Sequence, residues 1–196
     1  MKILPRSFYE RPTLEVAKEL LGKVLVHQGN SCKISGKIVE VEAYIGENDP
    51  ACHAAFGPTP RNQIMYGPGG FSYVYFIYGM YHCLNFVTEK KGSPAAVLIR
   101  ALEPVEGIGM MRKNRQVGNL HQLTNGPGKL CKALAISRTQ NKYDLTNSDL
   151  YVIDSFEKAK HIISSTRIGI RVGTDKKWRF YIDQNPYVSH SINRKK

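Results

Sequence analysis

The stretch Lys37-Ile38-Val39-Glu40-Val41-Glu42-Ala43-Tyr44 alternates with period two, which predicts a β-strand. Val39, Val41 and Ala43 fall on one face and are expected to point inward. Ile38, Glu40, Glu42 and Tyr44 fall on the other, so two carboxylates and a phenol share one side of one strand. Glutamate has no special preference for strands. Either this face is solvated, or one carboxylate faces a pocket as a general base with Tyr44 as an aromatic wall.

Upstream, Pro12 suits the first turn of a helix over 12–21 that Gly22 ends. A strand over 23–27 and a Gln28-Gly29-Asn30 turn make the opening strand a hairpin partner. Downstream, 46–70 has little periodicity and reads as a long loop. It carries His53 and the run Thr59-Pro60-Arg61-Asn62, in which Arg61 and Asn62 suit a phosphate contact.

The aromatic run 73–87 predicts two strands meeting in a tight turn at Tyr78-Gly79-Met80, with Tyr73, Tyr75 and Ile77 on one face. Large apolar groups at such a tip suit a wedge between bases, a protein contact or packing under the loop. A buried strand over 95–101 carries Arg100, which predicts a carboxylate partner. Pro104 and Glu106 are expected to open a helix with Arg112, Lys113 and Arg115 on a basic face.

Asn125-Gly126-Pro127-Gly128-Lys129 enters another helix, where Lys129 and Lys132 suit a phosphate. It is not a Walker A loop, because Leu130 follows the Gly-Lys pair. Further strands are expected at Leu150–Ile153, 167–172 and 180–182, and the tail 193–196 is expected to fray.

The 196 residues fit one domain over 1–196. Lys and Arg total 28 against 16 Asp and Glu, a net charge of +12 that favours a polyanionic partner, nucleic acid before anionic membrane. No apolar run is long enough to span a bilayer, and Glu10, Glu15 and Glu19 argue against a signal peptide. Cys32, Cys52, Cys83 and Cys131 are widely spaced without a CxxC pair, so neither a structural zinc site nor a disulfide framework is expected. Reduced thiols in turn imply an intracellular, cytoplasmic protein, nucleoid-associated in a bacterium.

Several segments together resemble the alkyladenine (3-methyladenine) DNA glycosylase family. They are Gly36-Lys37-Ile38-Val39-Glu40-Val41-Glu42-Ala43-Tyr44, His53, Thr59-Pro60-Arg61-Asn62, the run Tyr73 to Tyr81, Leu98-Ile99-Arg100-Ala101-Leu102-Glu103-Pro104, and Gly126-Pro127-Gly128-Lys129-Leu130-Cys131. They occur in the family's order and span roughly 5–190. The resemblance implies a single domain of mixed α/β (α+β) class with a curved, largely antiparallel sheet, flanking helices and a hairpin that enters the DNA minor groove. It implies Glu42 as the base that activates a water, with Arg100 beside that water. Tyr44 on one side and His53 and Tyr75 on the other would sandwich an extruded purine, over Asn85 and Leu98. Tyr78 and Met80 would fill the gap in the duplex, and Thr59, Arg61 and Lys129 would touch its backbone.

The implied activity is monofunctional excision of alkylated purines, 3-methyladenine and 7-methylguanine first, with hypoxanthine and ethenoadenine as possible further substrates. It needs no cofactor, no metal and no lysine nucleophile, so no strand nicking is expected. The partner is double-stranded DNA, with no membrane, and the protein is expected to be a monomer. Two other classes compete: a nucleic-acid-binding module without chemistry, and a small-molecule hydrolase whose activity would be insensitive to salt.

Overall fold

Strand β2 (Lys33–Ile45) is the spine of the molecule in the computed structural model, which describes residues 2–29, 32–155 and 159–189. Its β-branched residues and freedom from proline let it run for 13 residues. One edge pairs along almost its whole length with β5 (Ala95–Glu106). The other edge is shared. Lys33 to Lys37 pair with β1 (Val24–Gln28), and Glu40 to Glu42 pair with β8 (Arg179–Ile182).

Beyond β5 lies the hairpin of β3 (Ser72–Ile77) and β4 (Tyr81–Val87). Beyond β1 lies β6 (Leu150–Ile153), while β7 (Ile162–Ser165) pairs with β8. All these pairings are antiparallel, and the eight strands form one sheet curled into a half-barrel. The fold is α+β, as expected.

Two helices close one side. Helix α2 (Thr13–Leu20) follows the short α1 (Arg6–Tyr9) and buries Val16, Ala17 and Leu20 fully against the sheet. Glu89 accepts the Thr13 amide at 2.7 Å, satisfying a free N–H of the first turn. Gly22, at φ 87°, turns the chain into β1. Helix α3 (Ile108–Arg115) packs on α4 (Pro127–Ala133), and α4 packs on β4. Gly128 permits that approach, since a Cβ there would lie 2.9 Å from the Tyr81 ring.

Three expectations are corrected. Val39 does not share a face with Val41 and Ala43. It packs with Ala101 and Tyr187, whereas Ile38 joins Val41 and Ala43 in the main core. The cause is a pair of register shifts against β5, between Ile38 and Glu40 and between Glu40 and Val41, which leave Val39 and Arg100 out of the one-to-one pairing.

Secondly, β5 continues through Pro104 to Glu106. Pro104 pairs with Gly36 beside a further register shift, where a missing N–H is tolerated. The helix opens only after Gly107, at φ 75°.

Thirdly, 167–172 is not a strand. Gly169 and Gly173 have φ of 80° and 62°, and Arg167 turns into the protein interior instead of alternating. Asn30 of the expected turn and the tail 193–196 lie outside the described residues. The four cysteines are free thiols.

Candidate functional site

The two register shifts on β2 and β5 aim Arg100 between Glu40 and Glu42. Its Nε donates to Glu40 Oε1 at 2.9 Å, and its Nη1 lies 3.2 Å from Glu42 Oε1. The expected pairing of Arg100 with a carboxylate is met twice over. The open pocket is not: both glutamates have 0% exposure. The Arg179 side chain, the Ile168 backbone and Ser189 contact the two carboxylates on the face that the alternation left outward.

The two carboxylates have different surroundings. Glu40 Oε1 accepts from Arg100 Nε, Arg179 Nε (2.7 Å) and Ser189 Oγ (2.8 Å), and Oε2 accepts the Ser189 amide (2.6 Å). Burial pushes its carboxyl up, but Arg100 and Arg179 more than reverse this and hold it below the usual carboxylate range. Glu42 Oε1 accepts the Ile168 amide at 2.7 Å and faces Arg100, while Oε2 accepts the Tyr44 hydroxyl at 2.8 Å. Burial, then the Glu42 charge, pushes the Tyr44 phenol far up, so it stays a donor.

Strand register carries this cluster across the sheet. Tyr73 pairs with Asn85, Asn85 with Leu98, Leu98 with Glu42 and Glu42 with Arg179. Directly opposed residues share a face, so one row of five crosses β3, β4, β5, β2 and β8. Tyr75 and Tyr44 stand two residues along from Tyr73 and Glu42, again on that face. Both are half-buried against one aromatic cluster with Tyr73, Cys52 and Met65. Asn85 is buried, and its Nδ2 donates to the Tyr73 carbonyl at 3.0 Å. Leu98 is buried between Asn85 and Glu42.

His53 keeps an exposed edge, yet its ring meets Tyr75 at 4.6 Å between centroids and its Nδ1 lies 2.8 Å from the Tyr73 hydroxyl. Burial against these rings and the nearby Arg61 lower its pKa to about 4, so it is neutral at ordinary pH. The structure therefore brings Glu42, Arg100, Tyr44, Tyr75, His53, Asn85 and Leu98 onto one patch of sheet and loop.

Arg61 places its guanidinium 4.9 Å from the Tyr75 ring centroid. Asn62 is buried, and its Nδ2 donates to the carbonyls of His53 and Gly57, so it clamps the loop and is not available to a phosphate. Thr59 is exposed, and its amide donates to Asn62 Oδ1. Lys129 donates to Asn125 at 2.8 Å. At the hairpin tip Tyr78 is 76% and Met80 66% exposed. Tyr78 holds φ 54°, a left-handed conformation costly for a large L-residue, and Gly79 follows at 67°. Below the tip, Tyr81, His82, Gly128 and Lys132 line a groove.

Several contributors were not visible in the sequence. Arg179 and Ser189 reach Glu40 from the far end of the chain, and Ile168 contributes only its backbone amide. Asp49 and Arg167 form a fully buried ion pair beside Tyr44. The one available signal was a lone arginine opening an apolar strand at Arg179.

The family model described as methylpurine-DNA glycosylase (MPG) matches residues 7–186. A protein of Methanocella arvoryzae named "Putative 3-methyladenine DNA glycosylase" is 53% identical over 194 residues, covering 96% of each chain. Proteins of the same name are similar too. That of Desulfitobacterium hafniense is 49% identical, covering 96% of this chain and 99% of its own, and that of Clostridium acetobutylicum is 50% identical, covering 96% and 98%.

Proposed function

Because the chain belongs to the methylpurine-DNA glycosylase family, and so to the DNA repair hydrolases of N-glycosyl bonds, we propose that it excises alkylated purines from duplex DNA using Glu42-activated water. The observation that carries this reading is the cross-strand row that sets Glu42, next to Arg100, beneath the half-buried rings of Tyr44 and Tyr75.

A glycosidic bond inside a duplex is out of reach of any side chain, so the nucleotide is first rotated out. Tyr78, held outward by its turn, fills the gap from the minor-groove side, with Met80 beside it. The net charge of +12, including Arg61 and Lys129, with the exposed Thr59, supplies sequence-independent contacts to the backbone.

The purine then lies between Tyr44 on one side and Tyr75 with neutral His53 on the other, over Asn85 and Leu98. Tyr44 and Tyr75 each already face a flat cation, the guanidinium of Arg167 at 4.6 Å and that of Arg61 at 4.9 Å. A purine methylated at N3 or N7 is likewise a flat cation, and it leaves as a neutral base, which weakens its glycosidic bond. Asn85 at the floor would clash with the amino group of an intact guanine.

Each oxygen of a carboxylate accepts two hydrogen bonds, and Glu42 Oε2 uses one on Tyr44. The second takes a proton from water as that water attacks C1′, while the carboxylate charge stabilises the oxocarbenium-like sugar. Arg100 orients the same carboxylate through Nη1 and is itself fixed by Glu40. No lysine amine lies in this row, so the reaction ends at an abasic site without strand cleavage. The protein acts as a monomer inside the cell.

The deciding experiment incubates the protein with methylated DNA and no added metal. Release of free 3-methyladenine is the expected result. Tight binding of duplex without base release would make the protein a binding module instead.

A further inference from the structure

Beside the site lies a buried ion pair that the chemistry above does not use. Arg167 and Asp49 meet through two contacts, Nη1 to Oδ2 at 2.5 Å and Nη2 to Oδ1 at 2.7 Å, with both side chains at 0% exposure. The same guanidinium donates to the Ala43 carbonyl at 2.9 Å and the Gly173 carbonyl at 3.2 Å. Its flat face lies 4.6 Å from the Tyr44 ring centroid and 5.4 Å from that of Trp178. Arg167 therefore grips the backbone between Glu42 and Tyr44 and supports the Tyr44 ring. Its chain neighbour Ile168 sends its amide into Glu42 Oε1 at 2.7 Å.

A paired guanidinium has a fixed plane and fixed directions, so wherever Asp49 sets Arg167, the Ile168 amide and the Tyr44 ring follow. Asp49 is itself fixed, because its oxygens accept the amides of Ile45 and Ala51, both at 3.3 Å. The pair thus ties the loop bearing His53 to the segment that covers Glu42. A salt bridge this deep is weak evidence of a stability role, since apolar packing could do as well.

We propose that Arg167, clamped by Asp49, is a positioning residue that sets the Tyr44 ring against the purine and the Glu42 carboxylate against the attacked carbon. This rests on the reading of Glu42 as the water-activating group. Arg167 touches neither base nor sugar, and its effect runs through Tyr44 and Ile168.

Two variants test it. Arg167→Met removes the fork. Gly173→Ala keeps both charges: its added Cβ would lie 3.0 Å from Arg167 Nη2 and 3.2 Å from Asp49 Oδ1, and at φ 62° it also strains the local backbone, so the pair is pressed and its carbonyl partner shifted without removing a charge. Single-turnover excision of 3-methyladenine at saturating enzyme gives the chemical step. The Kd for duplex carrying a non-cleavable abasic analogue and the unfolding midpoint are measured alongside.

The expected result is a rate at saturation about 100-fold lower for Arg167→Met and about tenfold lower for Gly173→Ala, as small misplacements produce. Duplex Kd should change less than about threefold in both, with Gly173→Ala still folding cooperatively. Wild-type rates at saturation in Gly173→Ala and in folded Arg167→Met would overturn the inference. So would a loss in Gly173→Ala that only tracks its unfolded fraction. An inert wild-type protein would instead overturn the glycosylase reading itself.

Discussion

Glu40 and Glu42 stand two residues apart on one strand, equally buried and joined by one guanidinium, yet their surroundings differ. Around Glu40 the protein supplies four hydrogen bonds, two of them from arginines, and no solvent-facing group takes part. Around Glu42 one of the partners is the phenol of a half-buried ring in the aromatic cluster of the candidate site. Two guanidiniums and a serine that bonds both oxygens make the Glu40 carboxylate a structural joint. A carboxylate bonded to a neutral phenol of the aromatic cluster is the one adjoining the candidate purine site. Burial alone does not separate the two.

The comparison breaks if the wrong glutamate carries the reaction. Glu42→Gln should lower excision by about 10²–10⁴-fold, the usual weight of a general base. The amide can turn its NH₂ toward the Tyr44 oxygen and keep the carbonyl for Ile168, so folding and lesion-duplex binding should persist. Single-turnover assays beside a binding titration check this, and retained turnover would remove Glu42 from the mechanism.

Glu40→Gln should do the reverse. Oε1 faces two guanidinium Nε groups and Oε2 faces the Ser189 amide, so an amide NH₂ meets a donor in either orientation, and two buried guanidiniums lose a counter-charge. The expected cost is about 3–5 kcal/mol of stability, read from denaturant unfolding, with activity per folded molecule largely kept. An unchanged midpoint would show that the Glu40 network is not a joint.

The same contrast explains what was legible in the sequence. The placement of Glu42, Tyr44 and Tyr75 on strands and of Tyr78 at a turn was readable because strand alternation and a turn glycine are local patterns. Alternation left Glu40 and Glu42 equivalent, however, and only the family resemblance chose between them. Glu40 was visible as a residue but not as a joint, because its partners Arg179 and Ser189 lie more than a hundred residues away and arrive through β8. The facing of Val39 was misread because a register shift depends on the partner strand, which no single strand encodes. The segment 167–172 looked like a strand from its apolar residues, but Arg167 is committed to Asp49. An amide such as that of Ile168 has no side-chain signature at all.

The hairpin gives a smaller effect, on binding instead of chemistry. Tyr78→Ala should weaken lesion-duplex binding about tenfold, because the flipped nucleotide returns when nothing fills its place. Excision from single-stranded substrate should change little. Equal duplex affinity of mutant and wild type would show that the exposed tip serves another contact.

The smallest effect lies at His53, where only a proton is at stake. The folded imidazole takes its proton near pH 4, while in an unfolded chain it does so near 6.5. Between these values the unfolded chain binds more protons, so this group's contribution to stability is complete above 6.5 and is lost as pH falls toward 4. Its exposed edge keeps the contribution small. An NMR titration of the ring should give a midpoint close to 4, and Arg61→Ala should raise it only partly, since burial is the larger cause. A midpoint near 6.5 would mean a cationic ring next to the purine site at mildly acidic pH. A cationic wall repels a cationic base, so selection of methylated purines would then fade as pH drops from 7 to 6; with a neutral His53 it should hold.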